Sequence, residues 1–571
     1  MDQKEMENLQ NHYKTLIERF GLYAMGIMIL FLPYSIYNIT GYSSPFFLAI
    51  EFVLSIVGFL FLLVGSRRGE YGNRDPKKIL FFAFISLFII SFITFFVGMA
   101  TNFPITDELA IDMLSVKAAM TGHNPYGMIF SLKSLEMMGV PNTFLTPTSL
   151  GNYVTSLQYP ALSFLLMAPF VVFHIKPEVL LLLFSVFLIS IVPFSFIKNK
   201  MDYAAPLATA IAIFNINFIL FSFNGITDVI WATFVGMAIL LVDRKTLSPI
   251  FYGLALSTKQ VPLIIFPFLL IYIWKTFGFK RAIEYSVISV AVFLIFNLPF
   301  IILNPGAYIS SVVGPEFSPL LGIGFGISQI SFMGILPYAR SNFFAALMIS
   351  TWLISLIYYY MSFERNKYTL TVFPIIIFLF NYRLLENYII YWPVISLIFI
   401  PPLFKEKNIS VRKINVSEKL SEIRRLKLFL RNRKNLAITI VVILLLLSPF
   451  MVLLNDDANY HQQLIIEDVK PVSFNKSFVT AIDVSVYYSG PENNISLFFR
   501  ILESGILYSP NGFIWNTTGD PSISHDQVKT FELSTNQPEE YLNMGNSYIL
   551  EAYDGNLLGW LNIVWNQNSQ S

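Results

Sequence analysis

Three carboxylates fall within six residues in Thr106-Asp-Glu-Leu-Ala-Ile-Asp112, the densest acidic group between the apolar stretches of this chain. Asp107 and Glu108 sit in the first turn of a predicted helix, where the helix dipole and free N–H groups favour the ionised form. An ionised carboxylate there suits a general base acting on a hydroxyl, a role worth about 10²–10⁴ in rate. The plain alternative is ordinary first-turn capping. Further along, Lys259 interrupts apolar sequence, and Arg383 and Glu386 lie in Asn381-Tyr-Arg-Leu-Leu-Glu-Asn-Tyr388. Cations so placed suit an anion such as a phosphate. Their plain alternatives are a lysine that snorkels from a loop and a surface ion pair. Asn224-Gly225 and Asp228 mark another polar turn, where Asp228 either meets a ligand or caps the next helix. His174 and Lys176 read as interfacial anchors. The chain has no Cys, which removes zinc-finger, iron–sulfur and thiol-nucleophile chemistry. No His-x-x-x-His pair, Walker A loop or Gly-x-Ser-x-Gly elbow is present, and no nucleic-acid signature appears in a net charge of +2.

The elements that must carry these residues belong to a polytopic membrane protein. Of 571 residues, 55% are hydrophobic and 13% charged, where a soluble domain carries about a quarter charged. Apolar runs near the length of a span occur at 21–38, 46–65, 79–99, 177–197, 204–222, 227–242, 249–258, 261–274, 282–303, 342–361, 368–381, 388–404 and 436–454. That predicts about thirteen crossings. Residues 1–20 are polar and charged, so no removable signal peptide is expected. Arg67–Lys78 carries five Lys and Arg, and Lys405–Lys434 carries eleven against three Glu. Short basic loops mark the cytoplasmic side, which sets the N-terminus and the 405–435 loop inside and the C-terminus outside. Tyr159–Phe173 is apolar but too short to span and is expected to be embedded, with its ends covered by protein or a water-filled cavity. The stretch around Thr258-Lys259-Gln260 is expected to separate two short helices.

Two outer loops are long, 100–158 and 304–340. In the first, Thr106 is the expected N-cap, and Leu109, Met113, Val116 and Met120 form one apolar stripe. Gly122 with Pro125 ends the helix. The expected result is an amphipathic helix lying on the membrane, with Glu108, Asp112 and Ser115 along its edge.

After residue 455 the composition changes. Four Lys and Arg stand against fourteen Asp and Glu, a balance of −10 that leaves +12 on the preceding residues. Phe478, Thr480, Ile482, Val484, Val486 and Tyr488 alternate with more polar neighbours, as do Ile495, Leu497, Phe499 and Ile501. Asp554-Gly555 signals a hairpin. These patterns predict an extracytoplasmic β-sandwich over 455–571. Sequons begin at Asn475, Asn494 and Asn516, while Asn408 and Asn415 fall in the inner loop and should stay bare.

Asp107-Glu108, Asp112 and Ala118-Ala-Met-Thr-Gly122-His-Asn-Pro-Tyr126 together resemble the first extracytoplasmic loop of GT-C glycosyltransferases. The likeness is greatest to polyprenyl-phosphate-mannose-dependent mannosyltransferases, family 87-like and archaeal in type. Gln158-Tyr-Pro-Ala-Leu resembles that family's Tyr-Pro-Pro-Leu return into the membrane. Gly225 to Asp228 resembles the turn before its fourth core helix. Tyr252-Gly-Leu-Ala-Leu-Ser-Thr-Lys259-Gln-Val-Pro262 resembles its Gly-x-x-x-Ala…Lys…Pro segment. The four stretches span 79–404 in the family's order. The hairpin at 21–65 and the acidic domain after 455 are additions to the pattern.

The resemblance implies a membrane glycosyltransferase that moves a hexose, mannose first among them, from a polyprenyl or dolichyl phosphate sugar. The acceptor would be a glycan, lipid or protein at the outer face of a plasma membrane. Asp107 would be the base, with Glu108 the other candidate. Asp112, His123, Asn124, Tyr126 and Asp228 would bind acceptor or substrate, and Lys259 and Arg383 the donor phosphate. Neither a cofactor nor a divalent metal is expected. Rival readings are a catalytically silent envelope scaffold on the same fold, a polytopic transporter, and a relative with oligosaccharyltransferase or ligase chemistry. A transporter should show ionisable groups deep in its spans or an inverted repeat, and neither is seen.

Overall fold

The structure is a computed structural model that describes residues 3–40, 45–66, 104–213, 221–314, 320–324, 326–328, 341–402, 433–455, 463–490, 492–503, 512–554 and 557–565. The span expected at 79–99, the basic segment 67–78, most of the 405–435 loop with Asn408 and Asn415, and much of 315–340 lie outside the described residues.

The chain folds as a helical body followed by an antiparallel sheet. Among the described residues three helices are long and apolar enough to cross a membrane: Glu178–Lys198, Phe279–Leu303 and Asn342–Met361. These associate the protein with a membrane. Gln3–Thr40 and Pro45–Ser66 pair as a helical hairpin. Gly26 and Gly58 meet so closely that a side chain on either would strike the other helix. The expected span 436–454 lies within the helix Arg433–Asn455, while Asp228–Leu240, Leu247–Thr258 and Phe266–Phe277 are shorter helices. The stretches 368–381 and 388–404 hold only Phe373–Leu379 and Tyr391–Phe399. Polar turns at Asn366–Thr369 and Asn381–Asn387 break those runs.

Lys259 does separate two helices. It is extended after Thr258, and a short 3₁₀ turn at Val261–Ile264 precedes Phe266–Phe277. The 159–173 segment is two single-turn helices, Leu162–Leu165 and Ala168–Val172. Asn297 holds its start, accepting from the Ala161 N–H at 2.7 Å and from the Tyr308 hydroxyl at 2.8 Å.

The helix Asp107–Met120 ends as expected. Gly122 has φ +82°, and the N–H groups of Gly122 and His123 close onto Ala119 and Ala118 at 3.0 and 2.9 Å, a Schellman arrangement. The helix is not a surface amphipath, however. Leu109, Ala110, Ile111, Asp112, Ser115 and Val116 are all buried, because it is covered by 162–172 on one side and by the 224–228 turn at its start. The Thr106 side chain does not cap it. Its hydroxyl donates to Gly225 O at 3.1 Å and its N–H to Asn224 O at 2.8 Å. That pairing joins the first turn of this helix to the Asp228 turn.

The C-terminal region corrects the expected sandwich. Strands β1 (Leu464–Asn475), β2 (Phe478–Tyr488), β4 (Phe498–Glu503), β5 (Phe513–Thr517), β7 (Gln527–Ser534), β8 (Leu542–Asn543), β9 (Ser547–Asp554) and β10 (Leu557–Val564) form one antiparallel sheet, and β3 (Asn494–Ser496) pairs with β6 (Ser522–Ser524) in a separate two-stranded one. Its order is β1-β2-β7-β5-β4-β9-β10, with β8 on β2. The sheet curls until β1 lies against β10, so it is barrel-like. Alternation placed the right residues inside: Ile482, Val484, Val486, Leu497, Phe499 and Ile501 share one core. The β9–β10 hairpin pairs Asp554 with Leu557. Asn475, Asn494 and Asn516 are all exposed.

Candidate functional site

Four segments far apart in sequence meet at the start of the 107–120 helix. The 224–228 turn joins through Thr106, and the 145–159 loop joins through Asp107 itself. The Asp107 carboxylate accepts from Glu108 N–H at 2.8 Å on one oxygen and from Thr146 N–H at 2.7 Å on the other. Burial pushes this carboxyl up to about 6, against the opposing pull of the Thr146 N–H. Two backbone N–H groups thus hold this carboxylate in place, with no ion-pair partner among the described residues.

Glu108 points to the other side. Its Oε1 accepts from Thr227 N–H at 3.0 Å and from the Thr227 hydroxyl. Lys259 Nζ reaches both Glu108 oxygens at 3.0 and 3.1 Å and Asp228 Oδ2 at 2.6 Å. Asp228 also accepts from Asn387 Nδ2 and Trp231 Nε1, each at 2.6 Å. The ammonium lies over the Tyr159 ring, 4.6 Å from its centroid. Lys259 is 4% exposed, so it does not snorkel to a surface. It bridges two carboxylates inside the protein.

A cavity of about 390 Å³ opens over Asp107 and Glu108, within the range of small-molecule sites. Thr146, Gln158, Tyr159, Asn387 and Arg383 contribute its polar wall. A second cavity of about 410 Å³ adjoins it, walled mainly by apolar side chains such as Val261, Ile264, Met348, Trp352 and Phe378. Leu263 and Ile349 on its wall are half exposed. Gln158, Tyr159, Leu320, Arg383 and Tyr388 belong to both walls. Arg383 is buried and donates to Leu321 O at 3.0 Å. The surface ion pair with Glu386 does not form. Among the described residues no carboxylate lies within ion-pair distance of Arg383.

The expected set of substrate-binding residues is only partly gathered here. Asp107, Glu108 and Arg383 line the polar cavity, and Lys259 lines the apolar one. Asp112, His123, Asn124, Tyr126 and Asp228 line neither. The 107–120 helix reaches the cavity only through its start, at Asp107, Glu108 and Ile111. Asp112 lies fully buried behind, accepting from the Ser163 hydroxyl at 2.9 Å. His123 is exposed and sits 3.0 Å from the Thr121 hydroxyl. Asn124 holds the turn through Tyr126 N–H at 3.1 Å, and the Tyr126 hydroxyl donates to Tyr159 O at 2.9 Å. Tyr126 therefore supports Tyr159 from behind. Thr146, Thr227 and Asn387 were not singled out from sequence. The latter two stand inside motifs that were, next to Asp228 and Glu386. Thr146 acts through its backbone, which leaves no sequence signal.

Among the described residues no group of three His, Asp or Glu is placed to hold a metal ion. Fold and site together define a membrane-associated helical protein with a buried acidic and basic centre and a C-terminal barrel-like sheet. No protein-family model matches the chain, and no curated protein matches it.

Proposed function

We propose that the protein is a GT-C-type membrane glycosyltransferase that moves a hexose, mannose first, from a polyprenyl-phosphate sugar to an acceptor at the outer membrane face. The observation that carries this reading is the junction of two cavities of opposite character at Arg383, with Asp107 on the polar side. A lipid-phosphate sugar has the matching parts: an apolar tail, an anionic link and a polar head. The half-exposed apolar wall suits a tail arriving from the bilayer, and a buried cation with no carboxylate partner among the described residues suits the phosphate.

In the reaction, Asp107 takes the proton of an acceptor hydroxyl as its oxygen bonds to the anomeric carbon. The bond from that carbon to the phosphate oxygen breaks, and its electron pair leaves with the lipid phosphate, facing Arg383. Displacement in one step inverts the anomeric centre through an oxocarbenium-like transition state. Glu108 is a poorer base than Asp107, because Lys259 and Thr227 already occupy its oxygens. Lys259, balanced by two carboxylates, positions Glu108 and Asp228 and leaves the phosphate to Arg383. The accompanying topology is about thirteen spans, with the N-terminus cytoplasmic and the 455–571 domain outside.

The test is transfer from radiolabelled dolichyl-phosphate mannose, then dolichyl-phosphate glucose, into lipid, glycan and protein acceptors. Membranes with wild-type protein are compared with Asp107→Asn and Glu108→Gln at matched abundance. Loss with Asp107→Asn and at least partial retention with Glu108→Gln is expected. Transfer that survives both substitutions sinks the catalytic role of this loop and favours the scaffold reading.

A further inference from the structure

One wall of the polar cavity is formed by the loop that carries Thr146, Pro147 and Val154. It is a hairpin over 146–154, in which Pro147 pairs with Tyr153, Thr148 N–H donates to Asn152 O at 2.7 Å and Val154 N–H to Thr146 O at 2.9 Å. Thr148 pairs with Leu320, and Gly324 with Leu384, which extends the wall to the Arg383 segment. One side of this wall faces the cavity through Thr146, Val154, Ile323 and Leu385.

The other side carries the C-terminal sheet. Tyr153 accepts from Ile514 N–H at 2.9 Å through its hydroxyl oxygen. Phe498 covers Gly151, where φ is +73° and a Cβ would lie 1.9 Å from the ring. Only glycine fits there. Asn142 Nδ2 donates to Glu540 Oε1 at 2.6 Å, and the Thr535 hydroxyl holds the second oxygen of that buried carboxyl at 2.6 Å. Leu321 and Ile323 share an apolar cluster with Tyr553, Leu558 and Phe498. Ile323 and Leu385 therefore touch the cavity on one side and the sheet on the other, and Tyr153 and Gly151 lie in the same hairpin as the cavity-lining Thr146 and Val154.

Resting on the glycosyl-transfer reading, we propose that the C-terminal sheet is part of the catalytic centre: Phe498 and Tyr153 are positioning residues that clamp the 146–154 hairpin so that Thr146 N–H stays on Asp107. The consequence is specific. A loosened hairpin lowers the occupancy of the Thr146 bond, and Asp107 then holds its proton more tightly. The other charged or titratable groups facing Asp107 are Glu108 on its own helix, Tyr159 from the 145–159 loop, and Arg383, Glu386 and Tyr388 from the 381–388 turn. Lys259 and Asp228 lie beyond Glu108. The Tyr153 hydroxyl bonds none of these, whereas Phe498 reaches the 381–388 turn through its cluster with Leu321 and Leu385, so Tyr153→Phe is the cleaner probe of Asp107.

The experiment uses the full chain with Tyr153→Phe, Phe498→Ala and Gly151→Ala. Tyr487→Phe, on the exposed flank of the sheet where the hydroxyl meets Asp526, is the control. Hydrogen exchange at 144–148 is expected to speed up by tenfold or more in the three joint variants, with 109–118 unchanged. The acid limb of the transfer profile is expected to move to higher pH, with kcat lowered and donor KM retained. The conservative Tyr153→Phe keeps the test valid if Gly151→Ala fails to fold. Unchanged exchange at 144–148 in Tyr153→Phe and Phe498→Ala overturns the inference whatever the transfer assay shows. Faster exchange with an unmoved acid limb also overturns it. Faster exchange in a protein that transfers no sugar supports the clamp and overturns the glycosyl-transfer reading instead.

Discussion

Two charged groups meet in the first turn of one helix, at Asp107 and Glu108, and they are built on opposite principles. Glu108, Lys259 and Asp228 are saturated: the ammonium contacts both carboxylates, Thr227 and Asn387 donate to oxygens it already holds, and Trp231 takes the other Asp228 oxygen. Asp107 and Arg383 are held almost entirely by backbone, Asp107 by two N–H groups and Arg383 by the Leu321 carbonyl. A backbone hydrogen bond fixes a side chain's position without cancelling its charge, whereas a counterion does both. The saturated group therefore suits a joint between three segments. The open pair suits a reacting molecule, because it still has charge to offer.

The largest effect that sharpens this contrast comes from breaking the saturated side. Lys259→Met strands two buried carboxylates, and removal of one partner from such a pair costs about 3–5 kcal/mol. Thermal unfolding in detergent should show a large drop in midpoint together with loss of transfer. A midpoint that stays put would mean that the Lys259 group is not a structural joint.

On the open side the effect should fall on rate instead. Asp107→Asn is expected to lower transfer by about 10²–10⁴ while the protein stays folded. Burial puts the Asp107 carboxyl at about 6, so wild-type transfer should rise as pH climbs through that value and then level off. The sign for stability is the reverse. The unfolded chain releases this proton near 3.8 and the folded one near 6, so stability falls between those values as pH rises. The loss is on the order of 3 kcal/mol and is absent from Asp107→Asn. Unfolding midpoints of the two proteins at pH 4 and 7 measure it. A wild-type profile flat from pH 5 to 8 would remove Asp107 as the base.

Arg383→Gln is expected to cost less, about 10- to 100-fold in kcat/KM for the lipid donor, the worth of one charge-assisted hydrogen bond. Arg383→Lys should recover part of it, since a point charge remains. Competition by free polyprenyl phosphate reads the same contact without chemistry. Equal inhibition of wild type and Arg383→Gln would detach this residue from the phosphate.

Much of the open and saturated groups was legible in sequence, because acids and a lysine amid apolar residues are rare. The break at Lys259 was also legible, since a lysine between two short apolar runs argues against one continuous helix. What stayed hidden has a common cause. Thr146 acts through its backbone N–H, and Tyr153 meets Ile514 across several hundred residues. Neither contact leaves a local pattern. The 107–120 helix reads as a surface amphipath because Asp112 and Ser115 are polar, yet both are buried, so polarity alone did not mark the exposed face. Alternation in the C-terminal strands marked which residues face inward but not the strand order, which is why a sandwich was expected where one curled sheet forms.

Asp112 gives the smallest expected change in transfer and the finest test of the contrast, since it is a carboxyl of neither kind. One oxygen accepts from Ser163, and the other is buried without a hydrogen-bond partner. Burial first, and repulsion from Glu108 second, hold this carboxyl well above the usual range, which favours its neutral form. Asp112→Asn replaces one neutral group with another of nearly the same shape, and transfer should stay near the wild-type level. Stability carries the signature. The unfolded chain ionises Asp112 near 3.8 while the folded chain holds the proton more tightly, so the wild type loses stability as pH rises above that value. Asp112→Asn lacks this titration and should melt progressively higher than wild type between pH 4 and 7. A variant that instead melts lower at pH 7, or that loses transfer, would show Asp112 to be ionised and coupled to Lys259, and the division between saturated and open charges would have to be redrawn around it.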